Sequence, residues 1–124
     1  MRDESSRAPR VAPIDVPVRR LVRLLNRLPD CATISSCGGH AQPTAYQEPE
    51  GRWYVDLALE PTAAGWRSLT VLAWLCDETT GTTLTPWAEG PDGWLRFDLR
   101  GTHLSGCTLE ANLSEHFARR RGRG

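Results

Sequence analysis

Two stretches of this chain alternate apolar and polar side chains residue by residue. Trp53, Val55, Leu57 and Leu59 interleave with Tyr54, Asp56, Ala58 and Glu60, and Leu95, Phe97 and Leu99 interleave with Arg96, Asp98 and Arg100. Successive strand side chains point to opposite faces, so this period of two predicts strands with one face in a core and one in water. A sheet wetted on one side is an antiparallel arrangement rather than a buried parallel one. Helical spacing fills the intervals. Val18, Leu21, Val22, Leu25 and Leu28 make one stripe, with Asp15 as N-cap, Pro17 in the first turn and Pro29-Asp30 as the stop. A second helix starts at Pro61-Thr62 and runs to about Cys76, with Trp66, Leu69, Leu72, Ala73 and Cys76 on one side. A third is capped by Thr108, with Leu109, Leu113 and Phe117 inward. Strands over Cys31–Ser36 and Thr82–Trp87 complete the order helix-strand-strand, helix-strand-strand, helix. The expected fold is an α+β two-layer sandwich: a four-stranded, mostly antiparallel sheet with helices on one face. The matching patterns at 53–57 and 95–99 suggest an internal αββ duplication.

The 124 residues fit a flexible N-terminal arm over 1–14, a single domain over 15–118 and an Arg-rich flexible tail over 119–124. Five tryptophans are expected to supply much of the core. No apolar run is long enough to span a bilayer and no signal-peptide pattern opens the chain, so a cytoplasmic location without membrane contact is expected. The four cysteines form no Cys-x-x-Cys pair and should be reduced. The net charge is zero but uneven: seven Arg face four acids over 1–30, four Arg face eleven acids over 31–118, and four Arg follow. The folded middle is thus acidic, and nucleic acid could engage only the Arg-rich ends.

Chemistry concentrates in Ser35-Ser36-Cys37-Gly38-Gly39-His40, at a strand-to-loop junction. Gly38 and Gly39 could present backbone N–H donors to a ligand, Ser35 and Ser36 could orient it, and His40 could act as donor or base. Cys37 with His40 would be the catalytic pair of a covalent mechanism. Alternatively Cys37, His40, His103 and Cys107 make up a Cys2His2 zinc set, provided the first and fourth strands are neighbours. Asp56 and Asp98 occupy equivalent points of the two halves and could share the open face with Arg96, although solvent-facing charge explains them as well. Phosphate-loop, Rossmann and serine-hydrolase signatures are absent.

Around Thr33–His40 the chain resembles small, functionally uncharacterised bacterial and phage proteins with a Ser-Cys-x-Gly-His loop after a Leu-rich helix like Leu21–Leu28. Ser35, Ser36, Cys37 and Gly39 also resemble the Ser-Ser-Cys-Ser-Gly-Arg strand-loop of the tRNA wybutosine-synthesis N-methyltransferase family. Gly38 stands in place of its serine and His40 in place of its arginine. That resemblance implies an S-adenosylmethionine or nucleotide-like ligand at this loop and a methyltransferase-like protein. Two function classes follow: a small-molecule-binding domain centred on Ser35–His40, or a non-enzymatic interaction module whose loop is structural or zinc-bound.

Overall fold

In the computed structural model, residues 14–122 other than Tyr46 are described. The elements are α1 (Val16–Leu25), β1 (Cys31–Cys37), β2 (Arg52–Leu59), α2 (Ala63–Glu78), β3 (Thr83–Glu89), β4 (Leu95–Thr102) and α3 (His103–Gly122). The strands form one antiparallel sheet in the order β1-β2-β4-β3. The fold is the expected two-layer α+β arrangement. The two alternating strands, β2 and β4, lie at its centre. Their inward residues Val55, Leu57, Phe97 and Leu99 join Val18, Leu21 and Leu25 of α1, Leu72 and Leu75 of α2, and Leu109 and Leu113 of α3 in one buried cluster. Fully burying one such side chain contributes roughly 1.5–3 kcal/mol, so this cluster holds the helices to one face.

The arm expected over 1–14 lies outside the described residues except for Ile14. At the other end, α3 runs through Arg119 and Arg120 to Gly122, so helix takes in much of the stretch expected to be a tail.

Three expectations need correction. The core contains one buried tryptophan, Trp53, whereas Trp66, Trp74 and Trp87 are exposed. On α2 the inward line is Gly65, Ser68, Leu72, Leu75 and Cys76, with Trp66 and Ala73 turned outward. Gly65 sets this rotation, because it sits against the Glu60 carbonyl where no Cβ would fit. Lastly, α3 starts at His103 rather than after Thr108. Thr102 and Ser105 cap it reciprocally: Ser105 N–H donates to Thr102 Oγ1 at 3.3 Å, and Thr102 N–H donates to Ser105 Oγ at 3.0 Å. The turn from β4 into the helix therefore needs no loop.

Leu113, fully buried, and the two exposed α2 tryptophans should separate cleanly in urea unfolding. Leu113→Ala should lose about 2–5 kcal/mol, while Trp66→Ala and Trp74→Ala should each stay within about 0.5 kcal/mol of the parent.

Candidate functional site

The geometry of the site begins with one extra residue in β1. The β1–β2 register runs Cys31↔Leu59, Ala32↔Ala58, Thr33↔Leu57 and then jumps to Ser35↔Asp56, Ser36↔Val55 and Cys37↔Tyr54. A bulge re-aims the side chains that follow it. Cys31 and Thr33 lie opposite inward residues, but Ser35 and Cys37 lie opposite Asp56 and Tyr54 of the open face. Ser36, opposite Val55, takes the helix side. The Ser35–His40 stretch therefore does not act as one unit, as the sequence suggested. Its hydroxyls are split between two faces.

On the open face Ser35 Oγ donates to Asp56 Oδ2 at 2.9 Å. Asp56 stands directly across from Asp98. Arg100 binds Asp98 through Nε at 2.7 Å and Glu48 through Nη1 at 3.2 Å, and its guanidinium lies 5.9 Å from the Tyr54 ring centroid. Arg96 is not the partner of this pair, because it binds Asp92 at 3.1 Å in the β3–β4 turn. Burial pushes the Asp56 carboxyl upward, and repulsion from Asp98 adds to the rise against the opposing Ser35 hydrogen bond. The Asp98 Oδ1 atom is buried and, among the described residues, without a hydrogen-bond partner. It faces the Asp56 carboxyl across the β2–β4 pair. Burial, with Asp56 second, likewise raises the Tyr54 hydroxyl.

Glu48, Tyr54, Asp56, Asp98 and Arg100 line a cleft of about 440 Å³ together with Ala45, Gln47, Thr85 and Trp87. Trp87 is 59% exposed and sits where the β3–β4 register shifts, at a second bulge. Sequence reasoning missed Glu48, Tyr54 and Arg100. Tyr54 and Arg100 were legible as outward positions of the alternating strands. Glu48 arrives from a loop that carries no periodicity.

The glycine turn binds an anion, but the anion belongs to the chain. Gly38 N–H donates to Asp15 Oδ2 at 2.8 Å, and His40 Nε2 lies 3.1 Å from the same oxygen. Asp15 consequently makes no side-chain bond to the first turn of α1, although it occupies the N-cap. The expected offer of the Gly38 N–H to an external ligand is thus taken up internally. Gly39 holds φ +96°, and a Cβ there would meet the carbonyls of Arg52 and Pro49 at 2.7 and 2.9 Å. Cys37 is 2% exposed and its Sγ accepts from Glu48 N–H at 3.3 Å. That burial sets it apart from an accessible nucleophile.

The expected Cys2His2 set does not assemble among the described residues. Strand β2 lies between β1 and β4. His103 and Cys107 sit together on α3, Nε2 to Sγ 4.0 Å. His103 and Cys107 border a second cleft of about 380 Å³, whose walls include Pro17, Gly38, Gly39, Trp53 and Glu110. The ligand atoms that do gather are those of Asp15, Cys37 and His40, all within 4.8 Å of one another. The remaining cysteines, Cys31 and Cys76, are core residues whose thiols burial pushes up to about 12. All four are free thiols.

Comparison with protein-family profiles, curated proteins and solved structures finds no match to this chain. Among the described residues, no helix is long and apolar enough to cross a membrane.

Two outcomes test this geometry. With its pKa raised in the folded state, Asp56 favours folding below the ordinary carboxylate range, and that contribution fades as pH rises through the raised value. Asp56→Asn keeps an acceptor for Ser35 and removes the facing charge. The variant should exceed the parent at neutral pH by roughly 0.2–1 kcal/mol, and the gap should close at about pH 3. A gap that widened on acidification in urea titrations would contradict the assignment. Gly39→Ala should cost about 1–3 kcal/mol in the same assay.

Proposed function

We propose that the chain is a cytoplasmic small-molecule-binding domain whose site is the open-face cleft, and that its ligand joins a planar ring to a cationic or hydrogen-bond-donating group. The observation that carries this reading is the convergence of Glu48, Asp56, Asp98 and Arg100 with Tyr54 and Trp87 on one cleft of about 440 Å³. That volume falls within the roughly 300–1,000 Å³ range of small-molecule sites.

The chemistry of the lining narrows the ligand. Three carboxylates against one guanidinium leave a surplus of acceptors and negative charge. Phosphate groups are disfavoured there, while ammonium, sulfonium and amine groups are favoured. The exposed ring of Trp87 offers a face for stacking and for cation–π attraction. Arg100, held by Asp98 and Glu48, is committed to ordering these acids. Ser35 acts on the ligand through Asp56 and not by direct contact. S-adenosylmethionine, the ligand implied by the resemblance of the Ser-Ser-Cys-x-Gly loop, has the required adenine, sulfonium and ammonium groups. On this reading a methyltransferase-like protein would place its donor on the open face, beside the facing Asp56 and Asp98 carboxyls.

Calorimetric titration with S-adenosylmethionine, S-adenosylhomocysteine, adenosine and AMP tests the proposal. Affinity should fall in that order, since the second ligand lacks the sulfonium charge and the last adds a phosphate. Trp87→Ala and Glu48→Gln should each weaken the best ligand roughly tenfold, and Cys107→Ser should leave it unchanged. Tighter binding of AMP than of adenosine, or full affinity in Trp87→Ala, would sink the reading.

A second reading, a non-enzymatic interaction module, draws on Trp66 and Trp74. They are 67% and 63% exposed on the outer side of α2, about two turns apart. It predicts no ligand in the titrations above and a partner lost on replacing those two rings.

A further inference from the structure

We propose that Asp15, Cys37 and His40 form a binding site for a zinc-like divalent cation, clamping the start of α1 to the end of β1. None of the three ligands lines the open-face cleft, although Glu48 of that cleft meets Cys37 through its backbone N–H, and the proposal stands independently of the ligand reading above.

A carboxylate oxygen, a thiolate sulfur and an imidazole nitrogen within 4.8 Å of one another match the mixed O, S and N ligands that zinc accepts. They come from three separate segments: the residue preceding α1, the last residue of β1 and the loop after it. Two of the ligand atoms accept a backbone hydrogen bond. Gly38 N–H reaches Asp15 Oδ2 at 2.8 Å and Glu48 N–H reaches Cys37 Sγ at 3.3 Å. Outer hydrogen bonds of this kind orient metal ligands and tune them. Two anionic ligands and a neutral imidazole balance a dication.

Exposure sets the direction of approach. Cys37 is 2% exposed, while the Asp15 and His40 side chains are 31% and 33% exposed. Sulfur therefore lies at the closed end, and the carboxylate and imidazole form the mouth. Three protein ligands with an open side leave a fourth position for water or an exchangeable group. The same burial disfavours the rival use of this trio as a Cys-His-Asp nucleophile, since an electrophile would have to reach the sulfur beneath the loop. The other Cys–His pair, Cys107 with His103, is exposed and has no third ligand within reach among the described residues.

Cobalt titration of the reduced, chelator-treated full chain is the test, with no organic ligand present. The expected result is tetrahedral cobalt absorption and a thiolate-to-cobalt charge-transfer band saturating at about one equivalent and displaced by zinc. The charge-transfer band should vanish in Cys37→Ser. Cobalt affinity should fall at least about tenfold in Asp15→Asn and His40→Gln, whereas Cys107→Ser and His103→Ala should titrate as the parent does. Asp15 also anchors Gly38, so far-UV circular dichroism and thermal melting accompany each variant. Added zinc should raise the melting temperature of the parent and not that of Cys37→Ser. A parent that takes up no cobalt, a band that survives Cys37→Ser, or a band lost in Cys107→Ser would overturn the proposal.

Discussion

A sheet covered by helices on one side only is the constraint from which the other features follow. Every strand residue must serve either the apolar cluster or water, and β2 and β4 satisfy this by strict alternation. β1 cannot do so over its whole length. Cys31 and Thr33 lie on the core side, but Ser35 and Cys37 would bring unmet polar groups to it if the register continued. The extra residue at Ile34 resolves the conflict by turning the second half of the strand over. Ser35 and Cys37 then meet Asp56 and Tyr54, where the Ser35 hydroxyl is satisfied. The shift thus puts Ser35 and Cys37 on the open face and leaves Ser36 on the helix side.

The architecture was legible because its strands and helices carry clean periods. The pairing of Asp56 with Asp98 was legible as a possibility, since equal offsets in two alternating strands place them on the same face. Other features had no such signal. A bulge leaves no mark in a short polar run, so Ser35 and Ser36 read as one unit although they face opposite ways. The tryptophans misled because size and apolarity were read as burial, while the rotation of α2 is set by Gly65 against a carbonyl. The cap of α3 was present as Thr102-x-x-Ser105, a hydroxyl-only version of the usual Ser/Thr-to-Glu box. Asp15 was read as an N-cap from its position, but two donors across the turn offered its carboxylate better bonds.

Several acids here carry both structure and chemistry. Asp15 ends the approach to α1 and also receives Gly38 and His40. Glu48 covers Cys37 with its backbone N–H and holds Arg100 with its side chain. The loop from 38 to 51 is therefore fastened by Asp15 at one end and by the Glu48 contacts further along. Further ties reach the helix layer, where His103 N–H donates to the Gly51 carbonyl at 2.8 Å. Motion of this loop would be felt at once by the cleft, the Asp15 cluster and the start of α3.

The two bulges have one more consequence, which concerns the outside of the sheet. They interrupt β1 and β3, the two outer strands, and β3 carries Pro86 beside its irregular step. A proline donates nothing to a neighbouring chain, and a kinked ladder cannot match a straight one. Neither rim of the sheet offers an unbroken row of backbone groups for another strand to zip onto. Growth into a continuous intermolecular sheet, the usual hazard of an open antiparallel layer, is thereby resisted by the same residues that shape the cleft.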